Sequence, residues 1–120
     1  MKIASIYKVS AIAGGLTVAE ILDATRMLHI FPSEIGQFLI SPISVLTFEF
    51  FPTSEIVPVV LLLLYNELIA LIYLRVSCCV PSKAKKIVSL SVLSVFLLLV
   101  HLVAFFYLSE RFARMFDRII

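Results

Sequence analysis

Charge is what this sequence has least of. Only 15% of its 120 residues are Asp, Glu, Lys or Arg, whereas 62% are hydrophobic, and the mean hydropathy is +1.12. A water-soluble fold of this length leaves a large share of its surface exposed and has no way to hide that much apolar area. A soluble domain is therefore excluded, and a single membrane-embedded domain over residues 1–120 is expected. The net charge of +2 and the lack of a basic stripe interleaved with aromatics exclude a nucleic-acid partner. Cysteine is confined to the neighbours Cys78 and Cys79, which are badly spaced for a mutual disulfide and form no C-x-x-C. Two reduced thiols at the membrane edge are expected, with palmitoylation as the alternative. The zinc-protease, nucleophile-elbow, P-loop and dinucleotide-binding patterns are all missing, so neither an enzyme nor a cofactor is expected.

What the chain does have is long apolar runs. Residues 56–76 read IVPVVLLLLYNELIALIYLRV and residues 87–108 read IVSLSVLSVFLLLVHLVAFFYL. At about 1.5 Å per residue each can cross a hydrocarbon core of about 30 Å. Between them SCCVPSKAKK, residues 77–86, supplies a proline and three lysines, so the pair reads as a transmembrane hairpin. A first segment over residues 3–22 begins like a signal peptide but carries Glu20 where cleavage would fall, and a retained helix is expected. Its Ser10, Ala13, Thr17, Glu20 and Ala24 fall on one face at steps of three and four, with Gly14 beside it. Small residues so spaced let helices approach closely in lipid.

Phe31-Pro32-Ser33-Glu34 and Phe51-Pro52-Thr53-Ser54-Glu55 both read as helix openings, with a hydroxyl for capping and an acid for the first turn. They bound a second segment, residues 33–51, which Ser41-Pro42 interrupts; it either crosses as a kinked helix, the preferred reading, or is re-entrant. In the tail, residues 109–120, Phe112, Met115, Phe116, Ile119 and Ile120 share one face, and Glu110, Arg111, Arg114, Asp117 and Arg118 the other. That pattern fits an amphipathic helix lying among headgroups or against a partner subunit. Four crossings divide the basic residues five against five and leave orientation open. A re-entrant second segment makes it six against four, with Lys2, Lys8, Arg75, Lys83, Lys85 and Lys86 together. The concentration of lysines favours a cytoplasmic 77–86 loop.

The residues that stand out chemically are polar ones inside apolar runs. Glu67, with Asn66 beside it, lies near the centre of the third segment. An ionised carboxylate there costs on the order of 3 kcal/mol on insertion scales, so it is protonated, paired or hydrated. It is either interhelical polar glue or a proton or cation site. His101 sits on the fourth segment in a seam with Ser91, Ser94, Leu98 and Phe105. A neutral histidine bonded across that seam is expected, and Glu67 lies level with residues 94–98, about 7 Å short of His101. A haem held by His101 and His29 is a third reading, but the two fall at different depths.

Gly14-Gly15-Leu16-Thr17-Val18-Ala19-Glu20-Ile21-Leu22, followed by Ala24-Thr25 and Met27, resembles the first helix of the small multidrug-resistance transporters. That resemblance implies a four-helix proton-coupled exporter in which Glu20 is the shared proton and substrate site. The tryptophan of that family's drug site and its glycine-rich third helix have no counterpart in this chain. The expectation is thus an all-α integral membrane bundle of four transmembrane segments with a C-terminal amphipathic helix. Its expected function is that of a non-catalytic accessory subunit, in contact with lipid and with other membrane subunits or copies of itself. Glu20, Asn66, Glu67 and His101 are its candidate polar contacts. Phe112, Met115, Phe116, Arg111, Arg114 and Arg118 are its lipid or partner contacts. A small proton-coupled transporter or channel, with Glu67 or Glu20 titrating, is the alternative.

Overall fold

A computed structural model describes residues 2–119, including every side chain among them but those of Ser33, Phe116, Arg118 and Ile119. The chain is all-α: α1 is Ile3–Ala24, α2 Ser33–Phe50, α3 Ile56–Cys79 and α4 Lys83–Ile119. Among the described residues three helices are long and apolar enough to cross a membrane: α1, α3 and α4 as far as Met115. α2 is the shortest at 18 residues and carries Pro42 inside it.

The ends of the helices follow from local chemistry. α1 stops where Arg26 turns left-handed at φ 59°; the Arg26 and Met27 amides then donate back to the Asp23 and Leu22 carbonyls at 3.1 and 3.0 Å, closing a Schellman turn on a residue that is not glycine. The Asp23 carboxylate continues the link. Its Oδ1 accepts from the Ile30 and Phe31 amides at 3.1 and 3.0 Å, which fixes the entry to α2. α3 opens as its hydroxyl signal predicts, with Ser54 Oγ accepting from the Val57 amide at 3.2 Å. The loop before α4 shrinks from the expected ten residues to residues 80–82, because Lys83 already lies in the helix.

Cross-helix contacts set the directions. Thr17 meets Asn66, and Val9 and Ile12 border the same cleft as Tyr73 and Ser77, so α1 and α3 are antiparallel. Tyr65 meets His101 and Tyr73 meets Ser94, so α3 and α4 are antiparallel as well. Phe38 meets Phe105 whereas Phe48 meets Phe112, so α2 and α4 are parallel. Hence α1, α2 and α4 run one way and α3 the other. The consecutive helices α1 and α2 are therefore parallel to each other. α2 lies beside residues 101–112 of α4 and near Pro58 of α3, while α1 lies beside the C-terminal half of α3. The extensive interfaces are α1 on α3 and α2 on α4. The α3–α4 hairpin exists in direction, but its seam is sparse: Leu98 is exposed and Ser91 touches no other helix by hydrogen bond.

The tail is not a separate element. α4 runs unbroken for 37 residues, about 55 Å at 1.5 Å per residue, and the molecule's long axis is 58 Å. A helix that fills the long axis does not turn into the bilayer plane at residue 109. Its last turns are held by α2 instead. Among the described residues the buried set is inverted relative to a water-soluble core: Thr17, Glu20, Ser41 and Asn66 are buried, against Ala13, Ile43 and Leu62 of the apolar residues. Leucines, valines and phenylalanines face outward, as they do where the solvent is lipid.

Candidate functional site

The polar residues gather along the contacts of α3 with α1, and of α4 with α2 and α3. The starting point is Pro42. With no amide proton it leaves the carbonyl four residues earlier, that of Phe38, without its helical donor. Two side chains fill the vacancy. Ser41, fully buried, places Oγ 2.7 Å from the Phe38 oxygen and 3.1 Å from the His101 carbonyl oxygen. The His101 ring places Nδ1 2.9 Å from the same Phe38 oxygen. A carbonyl only accepts, so Nδ1 carries the proton. In the neutral ring Nε2 is then the acceptor, and it takes the Tyr65 hydroxyl proton across 2.9 Å. The Phe38 ring packs tilted on the imidazole at 5.5 Å. One histidine thus ties α4 to α2 and to α3.

α1 joins through Thr17 and Glu20. Thr17 Oγ1 donates to the Ala13 carbonyl at 2.9 Å and accepts from Asn66 Nδ2 at 2.8 Å. Glu20 is 3% exposed, with Asn66 next to its carboxyl. Its Oε2 is buried without a hydrogen-bond partner. An orphaned buried polar atom costs about 1–3 kcal/mol, so Glu20 stands apart from its satisfied neighbours.

The sequence candidates therefore separate. Asn66 and His101 each make an interhelical hydrogen bond, Asn66 to α1 and His101 to both α2 and α3, and Glu20 is buried nearby. Glu67 does not meet His101. The half-buried Glu67 faces α1, with Oε1 3.9 Å from where a methyl on Gly14 would lie. His101 is instead partnered by Tyr65, two residues away on a different face of α3. Both His101 ring nitrogens are engaged, and His29 sits exposed in the loop after α1. That arrangement offers no free nitrogen on His101 for a haem iron. Among the described residues no group of three or more His, Cys, Asp or Glu is placed to hold a metal ion.

The tail residues form a second cluster. Arg111 Nη1 lies 2.7 Å from Glu49 Oε1, its guanidinium stands 5.0 Å over the Phe48 ring, and the Tyr107 hydroxyl donates to the same Glu49 oxygen at 2.7 Å. Phe112 packs on Phe48 at 6.2 Å. Arg114 pairs with Glu110 at 2.6 Å. Met115 borders a cavity of about 370 Å³ with Phe48, Tyr107 and Arg111. Arg111 and Phe112 are thus occupied by α2. The side chains of Phe116 and Arg118 lie outside the described residues.

Sequence reasoning missed Phe38, Ser41, Thr17's partner and Glu49. The signal for the first two was present in Ser41-Pro42: a proline within a helix always frees a carbonyl, and a buried carbonyl finds a donor. Comparison with models of protein families, with curated proteins and with solved structures finds no match for this chain.

Proposed function

We propose that this is a three-crossing membrane protein, with α1, α3 and the apolar part of α4 in the bilayer and α2 held against α3 and α4 without crossing. It acts as a non-catalytic accessory subunit or helper that packs on other membrane proteins. The observation that carries this reading is where the buried polar groups point. Thr17, Asn66, Ser41, Tyr65 and His101 each bond to another helix, so they are committed to holding the bundle together. A second observation supports it: in the apolar stretch of α4 no residue is buried within the chain, which leaves a full helix face for lipid and for a partner. Three crossings gather Lys2, Lys8, Arg75, Lys83, Lys85 and Lys86 on one side against Arg26, Arg111, Arg114 and Arg118. The positive-inside rule then orients the α3–α4 loop to the cytoplasm. Purification in mild detergent tests the reading: a stoichiometric complex with a larger membrane protein is expected, and a lone homodimer counts against it.

The orphaned Glu20 Oε2 favours a second reading, a small proton-coupled transporter assembled from several copies, in line with the resemblance of residues 14–27 to the small multidrug-resistance transporters. In that case Glu20→Gln abolishes proton-coupled cation flux in liposomes and leaves assembly intact. Under the accessory reading the wild type shows no flux, and Glu20→Gln, which removes an unpaired acid and keeps its shape, leaves partner binding unchanged.

A further inference from the structure

The antiparallel pairing of α1 with α3, and of α3 with α4, brings three chain segments to one end of the bundle: the start of α1, the last turns of α3 and the start of α4. They carry Lys2, Lys8, Arg75, Lys83, Lys85 and Lys86, all exposed except the half-buried Lys86. Nothing acidic accompanies them: neither residues 1–19 nor residues 68–109 contain an Asp or Glu. Among the described residues the ion pairs, Arg111–Glu49 and Arg114–Glu110, lie at the opposite end. None of the six basic side chains makes an ion pair or a side-chain hydrogen bond.

Three of these charges are also placed against local energetics. Lys83, Lys85 and Lys86 occupy the first turn of α4, where there is no acid. The positive end of a helix dipole disfavours cations there. Six like charges, half of them at a helix start, have no acid of residues 1–19 or 68–109 beside them, which favours an anion from outside the chain. Their position says which kind. Arg75, Lys83, Lys85 and Lys86 stand at adjoining ends of the two most apolar runs, residues 56–76 and 87–108, where a chain spanning a bilayer meets the headgroups and basic side chains attract anionic lipid.

We propose that this end of the bundle is a binding surface for the headgroups of anionic phospholipids. The surface is independent of whether the chain serves a partner or a proton flux.

The test uses the full chain in detergent micelles doped with dioleoylphosphatidylglycerol or dioleoylphosphatidylcholine, with bound lipids counted by native mass spectrometry. The wild type retains the anionic lipid in preference to the zwitterionic one. The triple variant Lys83→Gln/Lys85→Gln/Lys86→Gln weakens apparent affinity for phosphatidylglycerol about a hundred-fold, at roughly five-fold per lysine, and leaves phosphatidylcholine retention unchanged. Arg111→Gln/Arg114→Gln at the far end leaves the preference intact. Should the triple variant fail to fold, the wild type alone decides: the preference collapses on raising sodium chloride from 50 to 500 mM, because exposed charges are screened. Equal retention of both lipids by the wild type overturns the proposal. So does a preference that survives the triple variant or high salt, and so does loss of the lipid to an equal concentration of inorganic phosphate, which would mark a free-anion site.

Discussion

The Phe38 carbonyl is a small vacancy with large effects. Proline at position 42 creates it, and His101 and Ser41 fill it. The coupling is testable as a double-mutant cycle. His101→Ala removes the bonds to Phe38 and Tyr65 and lowers stability by about 1–3 kcal/mol, at roughly 0.6–1.7 kcal/mol per interhelical bond in a membrane. Pro42→Ala restores an amide that competes for the same oxygen. In the Pro42→Ala background His101→Ala is therefore expected to cost less than in the wild type. Unfolding in mixed micelles measures both, and equal costs in the two backgrounds would dissociate the histidine from the proline. Much of this was legible in sequence: a proline inside an apolar helix and a histidine in another. Their meeting was not legible, because they are far apart in the chain and only the parallel docking of α2 on α4 brings them level.

Features set by near neighbours in sequence read differently from those set by distant ones. The small-residue face of α1 turns inward as its spacing predicts, with Ala13, Thr17 and Glu20 buried, and Ser54 caps α3. Both are settled within a few residues. The direction of α2 is settled instead by the turn after α1, where Asp23 grips two amides and leaves no room at the next helix. A side chain on Gly36 would collide with the Asp23 carboxylate, which its two amide partners hold in place. Gly36→Ala is expected to destabilise by about 1 kcal/mol, the net worth of disturbing hydrogen bonds that are exposed or half-buried. Once Asp23→Ala has removed the obstacle, the same substitution should cost little more, which thermal unfolding of the four variants in detergent would reveal. The tail was misread as separate for a related reason. Its amphipathic pattern is real, but the apolar and basic faces are met by Phe48 and Glu49 of α2, an acceptor no local pattern discloses.

The whole molecule is a rod with unequal ends. One end is basic and free of acids; the other carries paired arginines. The two cysteines lie exposed at the basic end and report its side directly. In intact cells a membrane-impermeant maleimide is expected to leave Cys78 and Cys79 unlabelled, and to label them once the cytoplasmic face is opened. Labelling in intact cells would invert the orientation given to the α3–α4 loop.

The stitch between α2 and α4 also sets an order of assembly. While the ribosome is still extending the chain, the Phe38 oxygen has no donor from α4, because His101 is made sixty-three residues later. Until then Ser41, on α2 itself, is the side chain that serves this oxygen, and the stitch to α4 is unmade. Contacts between the second and fourth helices thus belong to the final stage of synthesis, after residue 101 has been made.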